Sequence, residues 1–318
     1  MLITVRCDAR GRNANAVSAW RDALEKCIAC NAEGVLFPKG EYHFHAGGTV
    51  RKYCFISNND EGMKSIVFYL NGLKNFTLAG EEAKFIFHGR LSPLVAENCA
   101  GLRIQGISID FADSFVHEAE AVDCGREGTF FRIGGKYRVE NGRISFFRDA
   151  YDNLDGRFRL FPFDRSTGEF PRDAKIWFCP NQVLKRKGDL LLLPVDVAES
   201  REKFFTVRHQ GRLNPGMVFD GCRDVVVEEC AVHHCGGMGI VAQNTENIRL
   251  DAVRVVPSPG RLISASDDAL HFADCSGKIK LLNSSLRYTL DDALNIHGIY
   301  RKLRCRNHCA FLEAGHYQ

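Results

Sequence analysis

The amino-acid sequence predicts an all-β chain wound as a right-handed parallel β-helix, with an N-terminal capping helix and a small antiparallel β-barrel inserted between its coils. Three observations predict it. Short strands of one design recur at twenty to thirty residues, one long stretch breaks that rhythm with hairpin-like turns, and an amphipathic helix precedes the first coil. Self-similarity at this period marks a solenoid, in which each coil buries its apolar side chains against its neighbours.

The helix comes first. Over residues 14–30, Ala16, Trp20, Leu24 and Cys27 recur at spacings of three and four and form one apolar stripe. After Gly34 the pattern becomes Val-Leu-Phe-Pro-Lys-Gly-Glu-Tyr-His-Phe: a buried strand, a Pro-x-Gly turn and a second strand. Asn75-Phe-Thr-Leu, Gly101-Leu-Arg-Ile, Asp224-Val-Val-Val, Asn247-Ile-Arg-Leu and Lys278-Ile-Lys-Leu repeat one plan, a polar or glycine residue followed by alternation at period two. Val225 and Ile248 are 23 residues apart and Phe76 and Leu102 are 26 apart, the length of one coil. Leucine-rich-repeat ladders of the form Leu-x-x-Leu-x-Leu are absent.

From 118 to 207 the coil period is lost. Strands such as Phe130-Phe-Arg-Ile and Lys175-Ile-Trp-Phe alternate with turns at Glu140-Asn-Gly and Arg186-Lys-Gly. The expected organisation is a cap and first coils over 1–117, an inserted barrel or sandwich over 118–207, and further coils over 208–318.

Composition excludes some function classes. Hydrophobic residues make up 45% and charged residues 25% of 318, an ordinary globular balance. A net charge of +3 does not call for a polyanionic partner, and no basic run with interleaved aromatics points to nucleic acid. No apolar stretch reaches the roughly 18 residues that span a bilayer, so no membrane partner is expected. The start Met1-Leu-Ile-Thr-Val-Arg-Cys lacks the pattern of an export signal. As it stands the chain reads as cytoplasmic; with an N-terminal extension it reads as secreted or periplasmic. Of 13 cysteines, Cys27 and Cys30 make the one CxxC, inside the predicted helix, which favours packed thiols over a redox or zinc site. Cys99, Cys222, Cys230 and Cys275 fall at matching points of short apolar segments, as stacked core residues would.

A repeat within the repeat carries the chemistry. Asp267-Asp-Ala-Leu-His-Phe lines up with Asp291-Asp-Ala-Leu-Asn-Ile, and Asp268 and Asp292 are 24 residues apart. Neighbouring coils stack about 4.8 Å apart, which puts Asp268 over Asp292 and His271 near Asn295. Carboxylates that close raise at least one pKa. A structural ladder of corner aspartates and a calcium site are the plainer readings, and neither accounts for His271, Asn295 and His297. Glycoside hydrolysis needs one carboxyl protonated and another ionised, and clustered aspartates supply that split. This chemistry requires no organic cofactor and no metal. Gly236-Gly-Met-Gly lacks the Walker spacing and reads as close backbone approach beside the site.

Five segments, beginning Asn214-Pro-Gly-Met-Val-Phe-Asp, Cys235-Gly-Gly-Met-Gly, Val256-Pro-Ser-Pro-Gly-Arg, Ser266-Asp-Asp-Ala-Leu-His-Phe and Leu290-Asp-Asp-Ala-Leu-Asn-Ile-His, resemble glycoside hydrolase family 110. The similarity is dense from Asn214 to Tyr300 and weaker from Val5 to Asp113. It implies a pectin-lyase-like β-helix and an inverting exo-α-1,3-galactosidase, acting on terminal α-1,3-linked galactose of blood-group B or Gal-α-1,3-Gal type. The family's three functional aspartates fall on Asp268, Asp291 and Asp292. By analogy with pectin-cleaving β-helix hydrolases, Asp291 is the acid, and Asp268 and Asp292 activate water. His271, Asn295, His297, Gln243 and Arg254 are the candidate substrate-binding residues. Asp267 stands where the family has a small residue, and its charge is expected to point to solvent.

Family members continue through further coils, so the chain resembles a truncated form with its C-terminal coils missing. Two other readings stay open. A polygalacturonase-like hydrolase would gather Arg and Lys around the site, where Lys278, Lys280 and Arg287 are expected to face outward. A non-catalytic carbohydrate-binding solenoid would bind without turnover. The oligomeric state is open, a dimer included.

Overall fold

The computed structural model describes residues 1–318 apart from 13, 147–155, 172, 210, 299, 307, 308 and 318. The helix spans Val17–Ala29 and buries Val17, Ala19, Trp20, Ala23 and Cys27. It begins later than the apolar stripe suggests, because the Asn15 side chain accepts the Val17 N–H at 3.3 Å and starts the first turn there. Trp20 meets Phe68 edge-on with ring centroids 4.9 Å apart, so the helix caps the aromatic end of the solenoid core.

Two sheets run along the solenoid. The first places Leu2–Thr4, Gly34–Phe37, Thr77–Phe87, Arg103–Phe111, Arg223–Glu228, Glu246–Asp251 and Ser276–Leu282 side by side, all parallel. The second stacks Gly62–Asn71, Ser92–Glu97, Met217–Asp220, Ile240–Gln243, Leu270–Ala273 and Leu294–His297 in parallel, with Val50–Cys54 added antiparallel at one edge. Leu78 pairs with Ile104 and Val225 with Ile248, the coil steps read from sequence. Core side chains such as Leu78, Ile104, Val227, Leu250, Phe219 and Phe272 fill the space between the sheets.

The polar or glycine residue that opens each strand has a conformational reason. Asn75, Gly101, Asp224, Asn247 and Gly277 have φ of 50°, 67°, 54°, 58° and 71°. Glycine adopts this left-handed corner freely, and Asn and Asp tolerate it better than other side chains. In the last of these coils the corner is Gly277, one residue before Lys278. A second corner is lined by thiols: Cys99, Cys222 and Cys275 donate to the carbonyls of Leu70, Ala96 and Ala242, while Thr245 occupies the intervening coil and donates to Phe219. Cys230 does not join that column; it lies at another corner and donates to Ile104.

Between these coils, strands from Val116–Gly125 to Phe204–Arg208 form a seven-stranded antiparallel sheet, with a separate hairpin of Arg138–Glu140 and Arg143–Ser145. Phe131, Phe158, Trp177 and Phe205 give this unit a core of its own. The strand expected to begin at Lys175 begins at Trp177. The last strand, Phe204–Arg208, matters most for the site. Phe205 and Val207 enter the inserted core, so strand alternation turns Thr206 and Arg208 the other way, towards the solenoid.

Candidate active site

Along the second sheet, one outward-facing column reads Val95, Val218, Val241, His271, Asn295, each residue paired with the next. Its valine half is covered. The loop after Val50–Cys54 lays Ile56 over Val218, Val241 and Met238 in a small apolar cluster. Gln243 clamps this loop: its Oε1 accepts the Ser57 N–H at 2.6 Å and its Nε2 donates to the Phe55 carbonyl at 3.0 Å. Gln243 is thus buried against protein backbone rather than offered to a ligand.

Beyond the edge of that loop the column turns polar and the aspartates gather. The Ala269 N–H donates to the Asp292 carbonyl at 2.9 Å, which sets Asp268 and Asp292 at equivalent points of successive coils. Asp268, Asp291 and Asp292 each place a carboxylate oxygen within 4.8 Å of the others. Asp268 is buried, Asp292 is exposed, and Asp291 is half-buried, with 42% of its side chain exposed. Burial pushes the Asp291 carboxyl above the usual range, and the charges of Asp268 and Asp292 push it further, while Arg212 and Arg208 pull it down. Three oxygens this close also have the chemistry to hold a hard cation.

A histidine chain backs Asp268. His271 Nδ1 lies 2.7 Å from Asp268 Oδ2, and its Nε2 lies 3.0 Å from His297 Nε2. His297 Nδ1 lies 2.8 Å from the Gly298 carbonyl, so that nitrogen is the donor of the pair. The two rings thus link Asp268 to the Gly298 carbonyl. Ala273, which pairs with His297 across the coils, is small enough to let the second ring reach the first. Asn295 Nδ2 lies 3.5 Å from Asp292 Oδ2.

Two sequence expectations are corrected here. Asp267 does not point to solvent: it is fully buried and accepts from Arg208 at 2.8 Å and Arg212 at 2.7 Å. Burial pushes its carboxyl up, and the two guanidiniums oppose that. Arg254 does not reach the site. It is exposed on the two-residue strand Arg254–Val255 of the first sheet, because that strand follows the opposite corner of its coil. The sequence also missed Arg208 and Arg212. Arg212 bonds Asp267, Asp291 at 3.1 Å and the Asn58 carbonyl at 3.0 Å, joining the covering loop to the aspartates. No local motif marks either arginine; the one available signal was the unmatched charge of Asp267, which had to find a partner if buried. Lys278, Lys280 and Arg287 face solvent.

No family model matches the chain. Among curated proteins, α-1,3-galactosidase A of Shewanella woodyi is 29% identical over 91% of this chain and 49% of that protein. α-1,3-Galactosidase B of Phocaeicola vulgatus is 32% identical over 86% of this chain and 46% of that protein. The chain is similar to α-1,3-galactosidases. It spans about half the length of the curated relatives it matches. Among solved structures, the mannuronan C-5 epimerase A-module of Azotobacter vinelandii matches 91% of this chain and 50% of that one, at 12% identity and a TM-score of 0.35; at that score it carries no argument about function.

Proposed function

We propose that the chain belongs to glycoside hydrolase family 110 and removes terminal α-1,3-linked galactose with inversion, on glycans of Gal-α-1,3-Gal or blood-group B type. One observation carries the reading: in a chain similar to α-1,3-galactosidases, two stacked coils bring three carboxylates within 4.8 Å at the polar end of one outward column. Asp291 is the acid. Its carboxyl is the one held up by burial and by two neighbouring carboxylates, which keeps a proton available for the leaving oxygen. Asp268 and Asp292 hold the attacking water. Their oxygens stand closer to Asp291 than the roughly 6.5–9.5 Å of ordinary inverting pairs. The water therefore sits beside the group, between the two stacked aspartates, and not between the acid and a single base.

The histidine chain orients Asp268, and Asn295 orients Asp292. The polygalacturonase-like alternative is weakened by the two arginines themselves: Arg208 and Arg212 are bonded to Asp267, Asp291 and backbone rather than presented to a uronate. The test is hydrolysis of Gal-α-1,3-Gal followed by NMR from the first minutes. Initial release of β-galactose supports the proposal. Initial α-galactose excludes inversion, and binding without any release supports a carbohydrate-binding solenoid instead.

A further inference from the structure

A large cavity lies away from the aspartates. It measures about 1270 Å³ and lies where the inserted sheet meets the solenoid loops, lined by Arg90, Asp113, Glu118, Tyr137, Thr206 and Ser258 among others. That volume exceeds the roughly 300–1,000 Å³ of an ordinary small-molecule site and has room for several linked rings.

Its chemistry is specific. The cations on its wall are largely matched by acids: Arg261 pairs with Asp110 at 3.1 Å, Lys136 with Asp113 at 3.8 Å and Arg138 with Glu140 at 3.3 Å. An anionic ligand would have to break those pairs. Tyr137 and Phe146 add aromatic surface. Ser258 offers a half-buried hydroxyl to the cavity, while Thr206 packs fully buried at the back of its wall. Charge-balanced polar walls and aromatic rings suit a neutral, polyhydroxylated ligand.

We infer that this cavity is a second saccharide-binding site, taking a neutral oligosaccharide independently of the aspartate centre. Thr206 and Arg208 project from the same face of one strand two residues apart, about 7 Å, so the strand that carries Arg208 to Asp267 also builds the cavity wall. Val116, Phe161, Ile263 and Leu290 pack together at this seam, with Leu290 beside Asp291. An apolar contact thus lies between the cavity and the aspartates. The second site does not depend on the chain being a hydrolase.

The experiment is calorimetric titration of the full chain with lacto-N-neotetraose, a neutral linear tetrasaccharide, in the presence of saturating galactose. Saturable binding that persists under galactose is expected. Ser258→Trp, which fills the cleft, and Tyr137→Ala, which removes an aromatic wall, should each weaken it by roughly tenfold or more, a loss of about 1.4 kcal/mol. Tetragalacturonate should not bind there. Absence of saturable binding, its loss under galactose, or unchanged affinity in both folded variants overturns the inference. A preference for the uronate overturns the argument from charge. Galactose release, measured separately, reports on the hydrolase reading, so either proposal can fail alone.

Discussion

The two halves of the outward column on the second sheet share strand, register and backbone pairing, yet they serve different ends. Val95, Val218 and Val241 lie under Ile56 of a loop that Gln243 fastens by its backbone. His271 and Asn295 stand one and two coils further on, where the column is polar and the aspartates converge. A parallel solenoid repeats its geometry from coil to coil, so a site arises where the repeating side chains change and the cover stops. Arg212 spans that border, holding the loop at Asn58 and the aspartates at Asp267 and Asp291.

The sharpest way to separate the halves is to remove a carboxylate from the polar one. Asp292→Asn should lower kcat on Gal-α-1,3-Gal by about 10²–10⁴-fold with little change in Tm, as loss of a group acting in proton transfer does. Activity within a few-fold of the parent would remove Asp292 from the chemistry.

Asp267→Asn strikes the border instead. It leaves Arg208, which is itself buried, without its carboxylate, and breaking a buried pair from one side costs on the order of 3–5 kcal/mol. Thermal or urea unfolding checks this, and a loss below about 1 kcal/mol would mean that the pair is not an anchor. In the covered half, Gln243→Ala leaves the Ser57 N–H and the Phe55 carbonyl without their clamp, at roughly 1–3 kcal/mol. Faster amide exchange around Ser57 should accompany it; unchanged exchange would detach Gln243 from the loop.

The subtlest effect is on pH. Arg212 holds the Asp291 carboxyl down against burial and its two acidic neighbours. With Arg212→Gln that carboxyl rises further. A general acid works while protonated and fails above its pKa, so the alkaline limb of the kcat–pH profile should move to higher pH. A shift to lower pH, or none, would contradict Asp291 as the acid. Arg254→Ala, on the other sheet, should leave the profile where it is.

The coil period, the helix, the inserted stretch and the aspartate register were legible in the sequence, because each depends on near neighbours or on a fixed step. Alternation shows which side chains enter the core, left-handed corners select Gly, Asn or Asp, and a 24-residue step stacks Asp268 on Asp292. Gln243 and Arg254 were misjudged for a related reason. Period and polarity place a residue on a coil, but they do not say which corner it faces or whether a distant loop already occupies it.

Tertiary structure alone decided the electrostatics. Arg208 and Asp267 are 59 residues apart in sequence yet meet at 2.8 Å, through a strand of an inserted sheet whose docking no local pattern encodes. Sequence fixes which charges exist; burial and distance, set by that docking, decide which of them attract and which carboxyl keeps its proton.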